Sequence, residues 1–368
     1  MREVTHFSTV HRRLDTRVLL KECSSIAQDP DFSCNLILAD GGPDEIFNGV
    51  NISSVPKPKT KIHRIFISQY QIFKKLLKTQ STIYHFHDPE LMFTGAALKI
   101  LGRKVIFDIH EDFPGQLQSK VYLNRPTLLL LSKIYAIFES VMIKFFDYNI
   151  TVNETIQNRL FKSTKNVEVV YNYPILSEFI NAEHDWKSKE RIVCYIGGVT
   201  RIRGLKSLVQ ATEIGNFKLL LGGSFDEKAF EDELKSLLEW KNVKYYGQVS
   251  RDQMFEIFKE SNLGIIPFLP EPNHVNATPN KFFEYLSAGL PIVISNFEKW
   301  QNFINKHKVG RTFNPGDSED LGRAINDLLS DREALKNMSD KSKTLVIEKR
   351  NWDNEYTKIK KLYQQISP

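Results

Sequence analysis

Two α/β domains in tandem, each built on a parallel sheet, form the fold class that this sequence predicts, and three observations carry it. A chain of 368 residues exceeds what one hydrophobic core usually fills, so two domains of about 170 residues each are expected. Apolar runs of strand length alternate with stretches of helical periodicity, which implies parallel sheets with right-handed crossovers. The rhythm stops near the middle of the chain and restarts.

The first series of buried strands is expected at Val4–Ser8, Asn35–Ala39, Thr82–Phe86, Lys104–Ile109 and Tyr148–Val152. A polar stretch from Pro174 to Glu190 then reads as the linker. The second series is Ile192–Ile196, Lys218–Leu221, Val243–Tyr246, Leu263–Pro267 and Pro291–Ser295. These divide the chain into a first domain over 1–180, a second over 181–350 and a terminal helix over 351–368. The most apolar segment, Pro126–Phe146, is broken by Lys133, Glu139 and Lys144 well short of the ~18 uncharged residues of a spanning helix, and it reads as a mostly buried amphipathic helix.

Composition narrows the class of function. With 41% hydrophobic and 26% charged residues the chain is an ordinary globular one, and three widely spaced cysteines, Cys23, Cys34 and Cys194, suit neither a disulfide framework nor a zinc site. The opening residues carry Arg2 and Glu3 ahead of any apolar stretch, so a cytoplasmic location is expected. A net charge of +6 is too small to argue for nucleic acid, but it is unevenly spread. Between Glu45 and Asp88 there is no acid, while Lys57, Lys59, Lys61, Arg64, Lys74, Lys75 and Lys78 all occur. Ile72, Phe73, Leu76 and Leu77 fall on the opposite helical face from Lys74, Lys75 and Lys78, a pattern that fits either peripheral contact with an anionic inner membrane surface or a solvated face over a core contact.

In open α/β sheets ligands bind outside the carboxyl ends of the strands, so the polar residues just after each strand are the site candidates. In the first half these are His11, Asp15 and Arg17, then His87 and Asp88, then His110 and Glu111; in the second they are Gly197, Gly198, Arg201 and Arg203, then Gly247, then Asn276–Glu284. Tyr195–Leu205 is a strand, a glycine turn and a helix start flanked by two guanidinium groups. Glycine lets the backbone approach a ligand, helix N–H groups point outward and arginine binds phosphate oxygens in bidentate fashion, a combination suited to a diphosphate. A tight structural turn would look the same. In Asn276–Val293, Thr278 is placed to cap, Pro279 to open a helix and Glu284 to sit within it, where a carboxylate can accept ribose hydroxyls while the helix end holds phosphate. Pairing of Glu284 with a nearby arginine is the structural alternative. Asp29-Pro-Asp31 has metal-site spacing but reads as a turn, and His85 reads as structural.

These segments resemble, in order along the chain, the retaining glycosyltransferases of family 4, which have the GT-B fold: two Rossmann-like domains facing each other across a cleft, with a C-terminal helix that crosses back to the first. The glycine turn with Arg203-Gly204 resembles the family's phosphate loop, Gly247-Gln-Val249 its base-side turn, and Pro279-Asn-Lys-Phe-Phe-Glu-Tyr-Leu-Ser-Ala-Gly-Leu-Pro-Ile292 its donor helix. His85-Phe-His-Asp-Pro-Glu-Leu91 and Phe107-Asp-Ile-His-Glu-Asp-Phe-Pro114 resemble these strand ends in polysaccharide-assembly members, and Asn351-Trp352 resembles the return segment. The resemblance implies that Glu284, second glutamate of the E-x7-E motif, holds the ribose, that Arg203 stands for the phosphate-binding lysine, and that His110 approaches the donor sugar at the reacting carbon. It departs at Asn276, where the first motif glutamate is expected, and at Gly198, where an arginine is usual and Arg201 could substitute.

The reading that follows is a metal-independent transferase without cofactor, moving a sugar from a nucleoside-diphosphate sugar, UDP-sugar favoured, to a hydroxyl of a glycan or lipid-linked acceptor in surface polysaccharide assembly. His110, Arg203 and Glu284 are the catalytic candidates. Gly197, Gly198, Arg201, Arg203, Gly247, Val249, Asn276, Thr278, Asn280, Lys281 and Glu284 are the donor-binding set. His11, Asp15, Arg17, His87, Asp88 and Glu111 are the acceptor-binding set. A nucleotide-sugar 2-epimerase of the same fold and a non-catalytic bilobal sugar-binding protein are the alternatives.

Overall fold

A computed structural model describes residues 1–118, 124–179, 190–275 and 278–367. The expected linker therefore lies partly, and Asn276 wholly, outside the described residues. The chain forms two compact units, one of Met1–Asn172 with Trp352–Pro368 and one of Tyr173–Asn351.

The first unit holds β1 (Arg2–Ser8), β2 (Phe32–Leu38), β3 (Glu45–Phe47), β4 (Val50–Ser54), β5 (Ile83–Phe86), β6 (Lys104–Ile109), β7 (Tyr148–Thr151) and β8 (Val167–Val169) in the order β3-β4-β2-β1-β5-β6-β7-β8. Pairing is parallel except for the β3/β4 hairpin, which turns through Asn48 and Gly49, both at positive φ. The sequence patterning missed this hairpin because its residues are polar and short in run. Five of the strands are the expected apolar runs, and their side chains, Phe7, Ile37, Phe86, Phe107 and Ile109 among them, form the core.

Because β1, β5 and β6 are neighbours, the loops after their carboxyl ends open on one edge of the sheet. That single fact brings His11, His87 and His110 together from positions far apart in sequence.

The second unit holds β9 (Ile192–Ile196), β10 (Lys218–Gly222), β11 (Val243–Gly247), β12 (Leu263–Ile266), β13 (Ile292–Ser295) and β14 (Gly310–Phe313), all parallel, in the order β11-β10-β9-β12-β13-β14. The strand order reverses direction at β9, the crevice position where open sheets bind ligands. The glycine turn follows it directly.

The Trp352–Ile366 helix returns to the first unit. Trp352 Nε1 donates to Ser25 at 2.8 Å, Glu355 accepts from Tyr171 N at 2.9 Å, and Tyr356 and Lys360 bond Asp29. Asp29 does lie in a turn, accepting from Asp31 N at 3.0 Å, and it anchors this helix as well.

One expectation fails. The Arg125–Met142 helix is not mostly buried: Leu130, Ile134, Ile137 and Val141 are half or more exposed, at 59%, 54%, 66% and 50%. Their spacing is that of one helical stripe, and apolar periodicity alone does not say whether such a stripe is covered. In the basic segment, Ile72 and Leu76 are buried and Phe73 packs on the core, leaving Leu77 exposed. The apolar exposure lies earlier instead, at Ile62, Ile65, Phe66, Ile67 and Tyr70.

Candidate functional site

In the second unit the backbone from Gly197 to Arg203 leaves β9, makes a short 3-10 turn over Arg201–Arg203 and enters the Leu205–Ile214 helix through Gly204. Gly204 has φ 67°, and a Cβ there would sit 1.9 Å from the Pro267 carbonyl oxygen, so only glycine fits. Gly197 has φ 145°, and a Cβ there would meet Lys281 Nζ at 2.4 Å and Arg203 NH1 at 3.3 Å. The missing side chain is what lets two cations stand over one glycine. Arg203 donates to the Gly198 carbonyl at 3.2 Å, and its guanidinium lies 5.5 Å from the Phe268 ring centre.

Lys281 comes from the first turn of the Asn280–Ser287 helix, which Pro279 opens with an extended backbone and no side-chain acceptor. Thr278 is therefore not the cap that the sequence suggested, and Pro279 precedes the first helical residue. Lys281 Nζ donates to Tyr195 OH at 3.2 Å and lies 4.3 Å from that ring's centre and 5.1 Å from the Phe268 ring. Loss of water around the ammonium, and then Arg203 beside it, bring the Lys281 pKa down to about 7, with Glu284 opposing. Two cations thus converge under one glycine turn, an arrangement suited to an anion.

Glu284, on the same helix, is paired: Arg251 NH1 donates to its Oε1 at 3.1 Å, and Arg251 Nε donates to Glu178 at 3.1 Å. The structural alternative raised for Glu284 thus holds in this structure, and its side chain is 20% exposed. Arg251 escaped sequence reasoning because no glycine marks it. It opens the Arg251–Glu260 helix behind a Ser250–Gln253 capping box, four residues after Gly247. Gly247, at φ 67° with open space where its Cβ would be, and Val249, 3.1 Å from a Cβ at Gly222, border the neighbouring strand ends. Thr278 and Asn280 are exposed at the helix start.

Arg201 is ion-paired at the surface. Its guanidinium pairs with Glu233 and with Glu227 at 3.5 Å and lies 4.6 Å from the Phe230 ring, so acids of the next helix occupy the cation expected to replace the missing loop arginine.

In the first unit the strand-end histidines form a hydrogen-bonded series. His110 Nε2 contacts Asp108 at 3.0 Å and His87 Nδ1 at 3.2 Å; His87 Nε2 and His6 Nδ1 share a bond of 2.9 Å; and His6 Nε2 reaches Tyr363 OH at 3.0 Å, as does His85 Nδ1 at 2.7 Å. Burial holds His6, His85 and His87 in the neutral form, with the His87 pKa pushed down to about 4. Asp108 stays ionised despite burial because Arg17 donates to both its oxygens at 3.1 Å. His11, by contrast, is raised: burial works against the charge, but Asp15 at 3.1 Å and then Asp88 outweigh it. His85 is structural as expected. Tyr363 and His6 were not found from sequence, since 278 residues separate Tyr363 from His85 and nothing local links them.

Of the acceptor candidates, His11, His87, Asp88 and Glu111 line one cavity of about 990 Å³, together with the catalytic candidate His110. Two do not join them. Arg17 is buried and fully engaged by Asp108, Glu22 and the Val170 carbonyl, and Asp15 caps the Thr16–Cys23 helix by accepting from Arg17 N and Val18 N at 2.9 Å. Asp88, though at the cavity, is buried and accepts from Ser8, Thr9 and Val10, which makes it first a clamp on the β1 loop. Polar residues at strand ends serve structure as often as ligands, and composition does not separate the two.

Comparison with known proteins places this geometry. Residues 177–345 match the family model "Glycosyl transferases group 1" and residues 33–173 match "Glycosyltransferase Family 4". The chain is 22% identical over 345 residues to the sulfoquinovosyl transferase SQD2 of Arabidopsis thaliana, covering 87% of this chain but 64% of that protein's length. Among solved structures, sucrose-phosphate synthase from Thermosynechococcus elongatus superposes with TM-score 0.75 at 15% identity, over 100% of this chain and 99% of the other. HepE of Anabaena in complex with UDP and glucose superposes with TM-score 0.72 at 11% identity, over 99% and 100%. At these identities the superpositions establish the fold, and the two family models, in tandem, establish what is built on it. The chain is a glycosyltransferase of the GT-B fold, matching family 4 over residues 33–173 and group 1 over residues 177–345.

Proposed function

We propose that the protein transfers a sugar, with retention of anomeric configuration, from a nucleoside-diphosphate sugar to an acceptor hydroxyl. The observation that carries the reading is the convergence of Arg203 and Lys281 over Gly197, with Lys281 drawn down to about 7 by burial and by Arg203. As the sugar becomes oxocarbenium-like, negative charge grows on the departing diphosphate, and these cations with the Asn280–Ser287 helix N–H groups stabilise it. Because the cations do the work a divalent ion would do, transfer persists in excess EDTA. Glu284 takes the ribose hydroxyls, released from or shared with Arg251. The leaving phosphate accepts the acceptor's proton. UDP is favoured as the nucleotide because HepE, of the same fold, is solved with UDP-glucose.

A cytoplasmic protein acting at the inner membrane face in surface polysaccharide assembly is the biological setting we propose. The test is a panel of UDP-, GDP- and other nucleotide sugars read by thermal stabilisation and by release of the nucleotide. A true donor at 100 times its dissociation constant adds about 2.7 kcal/mol. An epimerase would convert the donor without needing an acceptor, and a binding protein would be stabilised without releasing nucleotide.

A further inference from the structure

The cavity at the histidine cluster is two-faced. One end carries His11, Asp88, Glu90, His110 and Glu111; the remainder is walled by Ile65, Phe66, Phe93, Phe113, Tyr135 and Phe138. The rings close on one another in pairs, Phe113 with Tyr135 at 4.6 Å and Phe93 with Phe138 at 5.3 Å between centres. At about 990 Å³ it lies at the upper end of small-ligand sites. Outside that end the polar lining is Arg64, Gln69, Gln116 and the Tyr135 hydroxyl, and the greater part of the wall is apolar.

Three of the wall residues are also surface residues: Phe66 and Phe93 are 68% and 66% exposed and Ile65 41%. The helix that supplies Tyr135 and Phe138 presents its exposed stripe, Leu130, Ile134, Ile137 and Val141, on an adjoining side. The groove is thus continuous with an uncovered apolar face. The exposed charge on that helix and just beyond its end is basic. Lys133 and Lys144 are exposed among the stripe, and the one acid between Arg125 and Phe146, Glu139, is buried against Arg159. Lys59, Lys61, Lys74 and Lys78 add exposed charge on the stretch that contributes Ile65 and Phe66.

We infer that this groove holds the hydrocarbon chain of a membrane-borne, anionic acceptor lipid, with the acceptor hydroxyl at the His11/His110 end, and that the Leu130–Val141 stripe and the Ile62–Tyr70 segment rest in the surface of the anionic bilayer that delivers it. Apolar wall, apolar rim and basic surround each match one part of such an amphiphile: chain, acyl layer and headgroups. No described helix is long and apolar enough to cross a membrane, so the contact is peripheral. The membrane face is therefore centred on the Arg125–Met142 helix, with the Lys57–Lys78 segment as its basic flank. The inference rests on the reading of the first unit as the acceptor side, and its test is independent of transfer.

The experiment uses the full chain and two probes. Dodecyl phosphate below its micelle concentration, with ethyl phosphate as headgroup-only control, is titrated by thermal shift; flotation is measured with vesicles of phosphatidylglycerol and phosphatidylcholine. UDP binding to each variant reports that the second unit is intact, and circular dichroism that the first is. Dodecyl phosphate binds wild type at least tenfold more tightly than ethyl phosphate, and Phe66→Glu with Phe93→Glu removes that preference. Ile134→Ser with Ile137→Ser reduces flotation at least fivefold while UDP binding stays within twofold. Equal response to both phosphates, or flotation unchanged in the stripe variant, overturns the inference while UDP binding leaves the donor reading standing. A dimer dispersed by the stripe substitutions, with no flotation by wild type, overturns it in favour of a second copy of the chain. Failure of UDP to bind wild type overturns the donor reading without touching the groove.

Discussion

Binding of a nucleoside diphosphate near pH 8 takes up close to one proton, and that proton goes to Lys281. With its pKa at about 7 in the free protein, about one Lys281 in eleven is charged at pH 8, each unit of pH above the pKa being a factor of ten in the ratio. A diphosphate beside Lys281 and Arg203 restores the ordinary lysine value of about 10.4, so nearly every bound molecule carries the charge and uptake is about 0.9 proton. The ligand's phosphates, ionising near pH 6, contribute little in that range. By linkage, UDP affinity falls about ninefold from pH 8 to pH 9 and changes little below pH 6.5. Calorimetric titration of UDP at pH 8 in buffers of high and low ionisation enthalpy measures the uptake directly, and Lys281→Met removes it along with much of the affinity. Uptake below 0.2 proton in wild type, or the same uptake in the methionine variant, would refute the assignment of a neutral, waiting Lys281.

Other outcomes follow from the same residues. Gly197→Ala places a methyl 2.4 Å from Lys281 Nζ at a backbone φ of 145°, so UDP affinity falls at least tenfold and stability by about 1–3 kcal/mol, checked by titration and urea unfolding. Glu284→Gln and Arg251→Met each raise the donor KM, and the double variant is no worse than the poorer single one, because the two side chains act as a pair. The histidine cluster makes the first unit acid-sensitive. The folded His87 pKa of about 4 lies below the unfolded value near 6.5, so between these pH values the unfolded chain binds the proton, and stability is lost as pH falls through that window. His87 alone costs about 2 kcal/mol by pH 5, with His6 and His85 acting in the same direction, and urea midpoints at pH 7.5 and 5.0 read the sum.

Much of this architecture is legible in the sequence because parallel strands buried on both faces announce themselves as apolar runs, and such strands anchor both units. The edge elements, the β3/β4 hairpin, β8 and β14, are short and half polar, and only the register with a neighbour defines them. Among site residues, the glycine turn, Arg203 and Lys281 were readable because their chemistry is local: a turn, a cation and a helix start within a few residues. Arg251 and Tyr363 were not, since each acquires its meaning from a partner on a distant strand or helix. Arg17 and Arg201 show the converse. Both stand where a ligand-binding arginine would, and both are taken by carboxylates whose proximity only the fold creates. The stripe on Arg125–Met142 failed differently: its periodicity was correct, and whether it faced protein or open surface was not encoded in the spacing.

The central claim, sugar transfer from a nucleoside-diphosphate donor with retention, is tested most directly by proton NMR of the product formed from an α-linked UDP-sugar, with nucleotide release followed in the same tube. The account predicts an α-glycoside and UDP in equal amounts, in the presence of EDTA, with both lost in Arg203→Ala. A β-linked product, or a bound donor from which neither wild type nor any acceptor draws UDP, would contradict it.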